Sequence, residues 1–400
     1  MNILYESDFR TVVNRKMKIA IASLGDPSSA STWSGIPATI IMGLEQRGHH
    51  IFPIALSAPA EPWHYAWLKR FYHRVHNKWF LAAVEEKFLR KICLQLDHAV
   101  ASMEPDVVLV IHGDWLAYAT FDVPSCIIHD TTFASIVDYY PSFSNLAARS
   151  LRQGNQMYQR ALDRADAAVF PASWASLSAV ADYNTPPSKV FTIPFGANVS
   201  YEPSESDIEQ WIEQRIIKDL CSFVFIGTQW ERKGGPQALD FIAELNRIGL
   251  PSRLTIVGCE PEIHDQLRYA VDVVGYLRKD VAEDEERFRQ ILKDAHALIV
   301  PSQAECFGCV YCEANAYGLP ALGRDTGGVS EIISDDHNGL LLRKDETPWH
   351  FARRWARIWM DRDLYRMMSV NAYREYESRL STKAFTDRLE PVLTQLSIAP

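Results

Sequence analysis

Along most of the chain, short runs of β-branched and aliphatic residues alternate with longer stretches in which apolar positions recur every three to four residues. That alternation predicts repeated strand–helix units and parallel sheets, because strands covered on both faces read as continuous apolar runs. The first half carries such runs at residues 18–23, 50–55, 107–111, 125–129, 167–170 and 190–194. The second half carries them at 222–226, 253–257, 271–275, 297–301, 319–322 and 339–342. Two sets of about six strands predict an α/β protein with two Rossmann-like domains rather than one long sheet. Residues 198–219 are polar and acidic, contain Pro203 and one helical stretch at 208–217, and read as the connection between the domains. After Pro348 the pattern is helical to the end, with Trp349, Phe351, Trp355, Trp359, Tyr365 and Met368 spaced for one apolar face.

Composition narrows the class. Four hundred residues with 47% hydrophobic content suffice for two real cores. A net charge of −9 argues against a general affinity for nucleic acid. No stretch approaches the ~20 apolar residues of a spanning helix. Residues 1–16 lack the apolar core of a secretory signal and read as an extension ahead of Met17. Seven cysteines, an odd number outside any small loop-rich context, predict a reducing cytoplasmic setting. Cys306, Cys309 and Cys312 make a C-x-x-C-x-x-C without a fourth ligand nearby. Cys309 and Cys312 lie one helical turn apart, and no metal is predicted there. Asp361-Arg362-Asp363 lies in the helical tail with no strand before it and reads as a solvated helix face.

Residues 63–91 interleave Trp63, Trp67, Phe71, Tyr72, Trp79 and Phe80 with Lys69, Arg70, Arg74, Lys78, Lys87, Arg90 and Lys91. This reads as an amphipathic helix pair with its aromatics packed inward and its charges snorkelling. A surface resting on anionic lipid, or a mouth for an anionic acceptor, is the competing reading.

The densest chemistry falls at 299–331. A short apolar strand ends in Pro301-Ser302, Glu305 follows on the loop, and Phe307-Gly308 leads into a helix predicted over 309–317, stopped by Gly318 and Pro320. Glu313 lies inside that helix, separated from Glu305 by seven residues. The free N–H groups at the helix start, Gly308, Cys309 and Val310, offer a seat for a phosphate or diphosphate. Carboxylates on either side suit hydroxyls, so the ligand expected is a nucleotide sugar. A second motif, Phe225-Ile226-Gly227-Thr228-Gln229-Trp230-Glu231-Arg232-Lys233-Gly234-Gly235, follows the first strand of the second half. It puts Lys233 near the carboxyl edge of the sheet, where a cation can neutralise a leaving diphosphate. In the first half, Trp33-Ser34-Gly35-Ile36-Pro37 precedes a helix starting near Ala38, and it is not a nicotinamide-binding fingerprint. His112 and His129-Asp130 each end a strand at the same sheet edge.

The Glu-x7-Glu arrangement with Phe307-Gly308, together with Gly327-Gly328-Val329-Ser330-Glu331 and Asn338-Gly339-Leu340-Leu341, resembles the signature of the retaining family-four glycosyltransferases of GT-B fold (glycosyl transferases group 1). The resemblance implies two Rossmann-like domains facing each other across a cleft. These are an acceptor domain over 1–198, joined by a last helix over 383–400 that crosses back, and a donor domain over 199–382. It implies that Lys233 binds the donor diphosphate and that Gly35 lets the backbone approach it. By the same resemblance Glu305 orients the donor sugar, Glu313 binds the ribose, and His129 hydrogen-bonds the transferred sugar. The nucleobase is expected near Tyr276 and Leu277, mostly on backbone groups, with Phe307 among the donor contacts. Trp33, His112 and Asp130 are weaker expectations for acceptor contact. One departure is Thr228, which stands where the family often has arginine; Arg232 is a candidate for the second positive charge.

The function expected is transfer of a hexose, with retention, from a nucleoside-diphosphate sugar to an acceptor hydroxyl. Uridine is favoured over guanosine, and no further cofactor is required. The product would serve polysaccharide, lipid-linked glycan or glycoside synthesis in the cytoplasm, with peripheral contact at the inner membrane face through 63–91. A hydrolysing sugar-nucleotide epimerase of similar architecture and a non-catalytic nucleotide-sugar-binding protein are the rival readings.

Overall fold

The computed structural model describes residues 15–398. The expectation of an extension over 1–16 therefore lies outside the described residues, apart from Arg15 and Lys16; Arg15 pairs with Asp106 at 2.9 Å. Contacts divide the chain into two units, Met1–Ile193 with Phe385–Pro400, and Pro194–Ala384.

The first unit runs β1 (Lys18–Leu24), α1 (Ile36–Gln46), β2 (His50–Leu56), α2 (Trp63–His76), α3 (Glu86–Met103), β3 (Val107–Ile111), β4 (Ser125–Ile128), α4 (Phe133–Ile136), α5 (Ala148–Arg164), β5 (Ala167–Phe170), α6 (Ser173–Tyr183) and β6 (Val190–Thr192). Its six strands are all parallel in the order β2-β1-β3-β4-β5-β6. The chain leaves β1 to one side and returns on the other as β3, so a topological switch lies between them, where open α/β sheets bind ligands. β3, β4 and β5 are wholly buried, as the mostly apolar central strands of a parallel sheet require.

The second unit runs α7 (Glu205–Ile216), β7 (Cys221–Ile226), α8 (Gly235–Arg247), β8 (Ser252–Val257), β9 (Val271–Gly275), α9 (Ala282–Asp294), β10 (Ala297–Val300), α10 (Cys309–Ala316), β11 (Ala321–Arg324), β12 (Gly339–Leu342), α11 (Pro348–Met360) and α12 (Arg362–Glu375). The last helix, α13 (Thr382–Ile398), begins here and continues into the first unit. The parallel strand order is β12-β11-β10-β7-β8-β9, which places the switch between β7 and β10. Arg215 of α7 is fully buried and donates to the carbonyls of Leu292, Lys293, Tyr317 and Gly318. One guanidinium thus satisfies the carbonyl ends of α9 and α10.

Three expectations are corrected. The strand expected at 319–322 is Ala321–Arg324, because Leu319 N–H and the left-handed Gly318 are taken up in closing α10 onto Ala314 and Asn315. The tail is not one apolar-faced helix: Asp361 ends α11, and its carboxylate accepts from the amides of Asp363 and Leu364 to cap α12. The aromatics of α2 do not all face inward. Tyr65 is buried and Leu68 and Tyr72 are partly so, whereas Trp63 is 85% and Trp67 59% exposed.

Candidate active site

In the second unit, the loops after β7, β8 and β9 close on one another at the carboxyl edge. Gly227 N–H donates to Val257 O at 2.9 Å, and Gly258 N–H donates to Gly275 O at 2.8 Å. The β7–α8 loop is wound around Trp230, whose ring packs on Phe225 at 4.9 Å and fills the space a side chain on Gly235 would need. Gly234 has φ +79°, and a Cβ there would fall 2.1 Å from Pro301 O, so only glycine lets this loop rest on the end of β10. Gln303 N–H donates to Arg232 O at 2.8 Å, stitching the two loops of the switch point together.

That stitching brings Lys233 and Glu305 into a direct ion pair. The same carboxylate oxygen, Glu305 Oε2, accepts from Ser302 Oγ at 3.2 Å and lies 3.6 Å from Arg232 Nη1. Arg232 also donates to Ala304 O at 2.6 Å and to Gln229 Oε1 at 2.5 Å. Glu305 is 7% exposed, so its charge is stabilised by these donors rather than by water. Two cations and one carboxylate leave the cluster net positive, an environment that favours an anion. Thr228 is exposed at the rim of this loop.

Beyond Glu305, Gly308 (φ +99°) is the N-cap of α10, and a Cβ there would strike the Tyr311 ring at 2.5 Å. Tyr311 Oη donates to Val300 O at 2.6 Å, tying the first turn of the helix to β10. Cys309 and Val310 are half-buried on that turn. Phe307 does not present its ring to a ligand. It is buried edge-on against Phe195 at 5.5 Å. Glu313, also buried, pairs with Lys279 at 2.7 Å, and Lys279 donates in addition to Asn198 O at 2.9 Å. Sequence reading missed Lys279, which follows β9 without a motif of its own. Tyr276 (65% exposed) and Leu277 follow β9 at the same sheet edge. Cys306 and Cys312 are buried, and no group of three metal-ligating side chains occurs among the described residues.

In the first unit the switch point gathers Trp33, His112 and His129. Trp33 (φ 44°) and Ser34 (φ 58°) both adopt left-handed backbone ahead of Gly35 (φ 78°), the N-cap of α1. Two such non-glycine residues in a row are costly and need the surrounding packing to hold them. Trp33 stands edge-on to His112, with ring centroids 4.6 Å apart, and His112 stacks on His129 at 4.7 Å. Tyr158 Oη donates to Thr131 O at 2.8 Å, so its oxygen accepts from His129 Nδ1 at 3.1 Å. Burial, then the neighbouring His112, hold His129 well below the usual histidine range. The network therefore assigns His129 as the neutral Nδ1–H tautomer, with Nε2 a hydrogen-bond acceptor. Asp130 Oδ1 lies 3.9 Å from that Nε2. Burial pushes His112 down to about 4 and the neighbouring Asp114 carboxyl up to about 6. His112 Nε2 is buried without a hydrogen-bond partner among the described residues. Asp114 was not among the sequence candidates.

Residues 221–361 match the family model described as glycosyl transferases group 1. A D-inositol 3-phosphate glycosyltransferase from Corynebacterium aurimucosum is 23% identical over 70% of this chain and 68% of its own length. Further relatives of the same description are matched over less than two thirds of their own length. Sucrose-phosphate synthase from Thermosynechococcus elongatus has a similar fold, with a TM-score of 0.69 and 18% identity over 96% of this chain and 99% of that one. HepE from Anabaena, solved with UDP and glucose, has a TM-score of 0.63 and 16% identity over 95% of this chain and 100% of its own.

Proposed function

We propose, from the match of residues 221–361 to the glycosyl transferases group 1 model and the similarity in fold to GT-B glycosyltransferases, that this chain is a member of that family and moves a hexose from a nucleoside-diphosphate sugar to an acceptor hydroxyl with retention. The observation that carries the reading is the cluster at the β7/β10 switch point, where Lys233, Arg232 and Ser302 surround Glu305. Lys233 and the first turn of α10 stabilise the diphosphate as it leaves. Glu305 exchanges part of its present pairing for the hydroxyls of the donor sugar. Glu313, oriented by Lys279, reads the ribose. Tyr276 and Leu277 border the nucleobase, with uridine favoured over guanosine. His129 accepts a sugar O–H at Nε2. Trp33, His112 and Asp130 contact the acceptor, and the backbone at Gly35 approaches the diphosphate. No residue of the donor cluster is placed as a covalent nucleophile. The acceptor therefore attacks on the face from which the diphosphate departs, and the leaving phosphate oxygen takes the acceptor proton. The setting proposed is the cytoplasm, in the synthesis of a polysaccharide, lipid-linked glycan or glycoside.

The test is incubation with UDP- and GDP-sugars and a panel of acceptors, followed by assignment of the product's anomeric configuration by NMR. An α-linked product from an α-linked donor, lost in Glu305→Ala, supports the reading. Free nucleoside diphosphate and an altered sugar without any acceptor would favour a hydrolysing epimerase instead. Tight donor binding with no turnover on any acceptor would favour a binding protein.

A further inference from the structure

We propose that the outward face of α2 docks on an anionic lipid bilayer. The helix is amphipathic in an unusual sense, because both of its faces carry aromatic residues. Tyr65, Leu68 and Tyr72 turn inward onto Phe80, Ala82 and Phe88 and form a small core of their own. The opposite side keeps Trp63 (85%), Trp67 (59%), Phe71 (37%) and Val75 (61%) exposed, with Trp79 (55%) just beyond the helix. Trp67 stacks on Phe71 at 5.3 Å, and Trp79 stacks on His73 at 4.8 Å, so most of these exposed rings occur in contacting pairs and not as scattered single exposures.

Charge selects the occupant. Among the residues of α2 there is no aspartate or glutamate. Lys69 is paired with Glu61 at 2.7 Å, whereas Arg70, Arg74 and Lys78 have no ion-pair partner among the described residues. At roughly 100° per residue, Arg70 and Arg74 project within about 20° of Trp63, so cation and indole share one outward stripe. A soluble protein partner is met by a hydrophobic patch with a polar rim. Here guanidinium and indole alternate along the patch itself, which suits the boundary between anionic headgroups and acyl chains. The patch is also of opposite sign to the chain, whose net charge is −9, so it is a local feature and not the trace of a basic protein. At 14 residues α2 is too short to cross a bilayer, and no described helix is long and apolar enough to do so. It lies in the interface plane, with Trp63 and Trp67 inserted and Arg70, Arg74 and Lys78 on the headgroups. This placement does not depend on the donor chemistry.

The experiment is co-sedimentation of the full-length chain with vesicles of phosphatidylcholine alone or mixed with phosphatidylglycerol, with tryptophan emission recorded alongside. Binding is expected only on the mixed vesicles, with a blue shift, and weakening as salt is raised. The triple change Arg70→Gln/Arg74→Gln/Lys78→Gln should weaken partition on the order of 100-fold. Trp63→Ser/Trp67→Ser should remove the blue shift and most of the binding. Thermal melting of both variants should match the parent, since these side chains are exposed. Absence of binding to the mixed vesicles overturns the proposal. Retention of binding in the tryptophan variant also overturns it, because the aromatic face would then be idle. A wild-type dimer by light scattering that both variants dissolve, without vesicle binding, would assign the face to a second copy of the chain instead.

Discussion

Lys233 and Glu305, 72 residues apart in sequence, meet as an ion pair where β7 and β10 run side by side. A pair this well covered binds its members to each other until a ligand offers better partners. Lys233→Ala and Glu305→Ala are each expected to lower turnover by at least about two decades, as loss of a buried charged contact does. Each also strands an opposite charge, at a cost of roughly 1–3 kcal/mol of stability. The double variant Lys233→Met/Glu305→Gln separates the two effects. It should regain stability in urea melts while turnover stays lost. Recovery of turnover along with stability would make the pair structural only.

Lys279 lies 2.7 Å from Glu313, and the other carboxylate oxygen of Glu313 has no partner among the described residues. If Lys279 fixes the rotamer in which Glu313 reads the ribose, its loss weakens the donor complex before it touches the chemistry. Lys279→Met is expected to raise donor KM and the Kd for the nucleoside diphosphate roughly tenfold, with kcat nearly unchanged. Titration calorimetry with the nucleotide and initial-rate kinetics check the split. A kcat defect with normal nucleotide affinity would place Lys279 elsewhere in the reaction.

The twelve strands were legible because buried parallel strands leave continuous apolar runs, and most expected boundaries fall within a residue or two of those observed. The helix after Glu305 was legible because Gly308 opens it and Gly318 and Pro320 stop it, whereas the roles expected of Glu305 and Glu313 came from the family resemblance. Lys279 was not, since a lone cation after a strand has no pattern and acquires meaning only from the carboxylate it meets. The 319–322 strand slipped because Leu319-Pro320 reads as apolar whether it forms a strand or closes a helix. Helix α2 was misread inward because helical spacing says which residues share a face and not which face is covered. Trp33 and Ser34 carry no sequence signal for left-handed backbone, which glycine would have announced.

Asp114 and the histidines beside it oppose each other in pH. Burial raises the Asp114 pKa to about 6, above its unfolded value, so its carboxyl destabilises the fold increasingly as pH climbs from about 4 to about 6. Burial lowers His112 to about 4 and holds His129 down as well, so those rings destabilise the fold increasingly as pH falls below about 6.5. Over the same window Asp114 offsets part of the histidine slope. Asp114→Asn should therefore steepen the loss of stability on acidification by about 1–2 kcal/mol, because solvent partly screens this half-buried carboxyl. Urea midpoints measured from about pH 6.5 to about pH 4.5 test this. Parallel curves for the variant and parent would show that Asp114 titrates normally.

Arg215 holds α10, the helix on which the proposed donor site rests, from its far end. Its guanidinium is fully buried and spread over four carbonyls, those of Leu292 and Lys293 at the end of α9 and of Tyr317 and Gly318 just past α10. Trp211, one turn earlier on α7, stacks on Tyr317 at 5.6 Å and reinforces the same corner. Replacing Arg215 with methionine keeps much of the volume but leaves those carbonyls buried without donors, at an expected cost of about 2–4 kcal/mol. Lysine should recover only part of that, because an ammonium cannot reproduce the planar fork that spans two helix ends. The urea midpoint should fall in the order arginine, lysine, methionine with the m-value unchanged. Amide exchange should quicken at the α10 end, and nucleotide affinity should weaken at temperatures well below the melt, because the first turn of α10 is positioned from its far end. Normal exchange and normal nucleotide affinity in a destabilised Arg215→Met would separate the corner from the site.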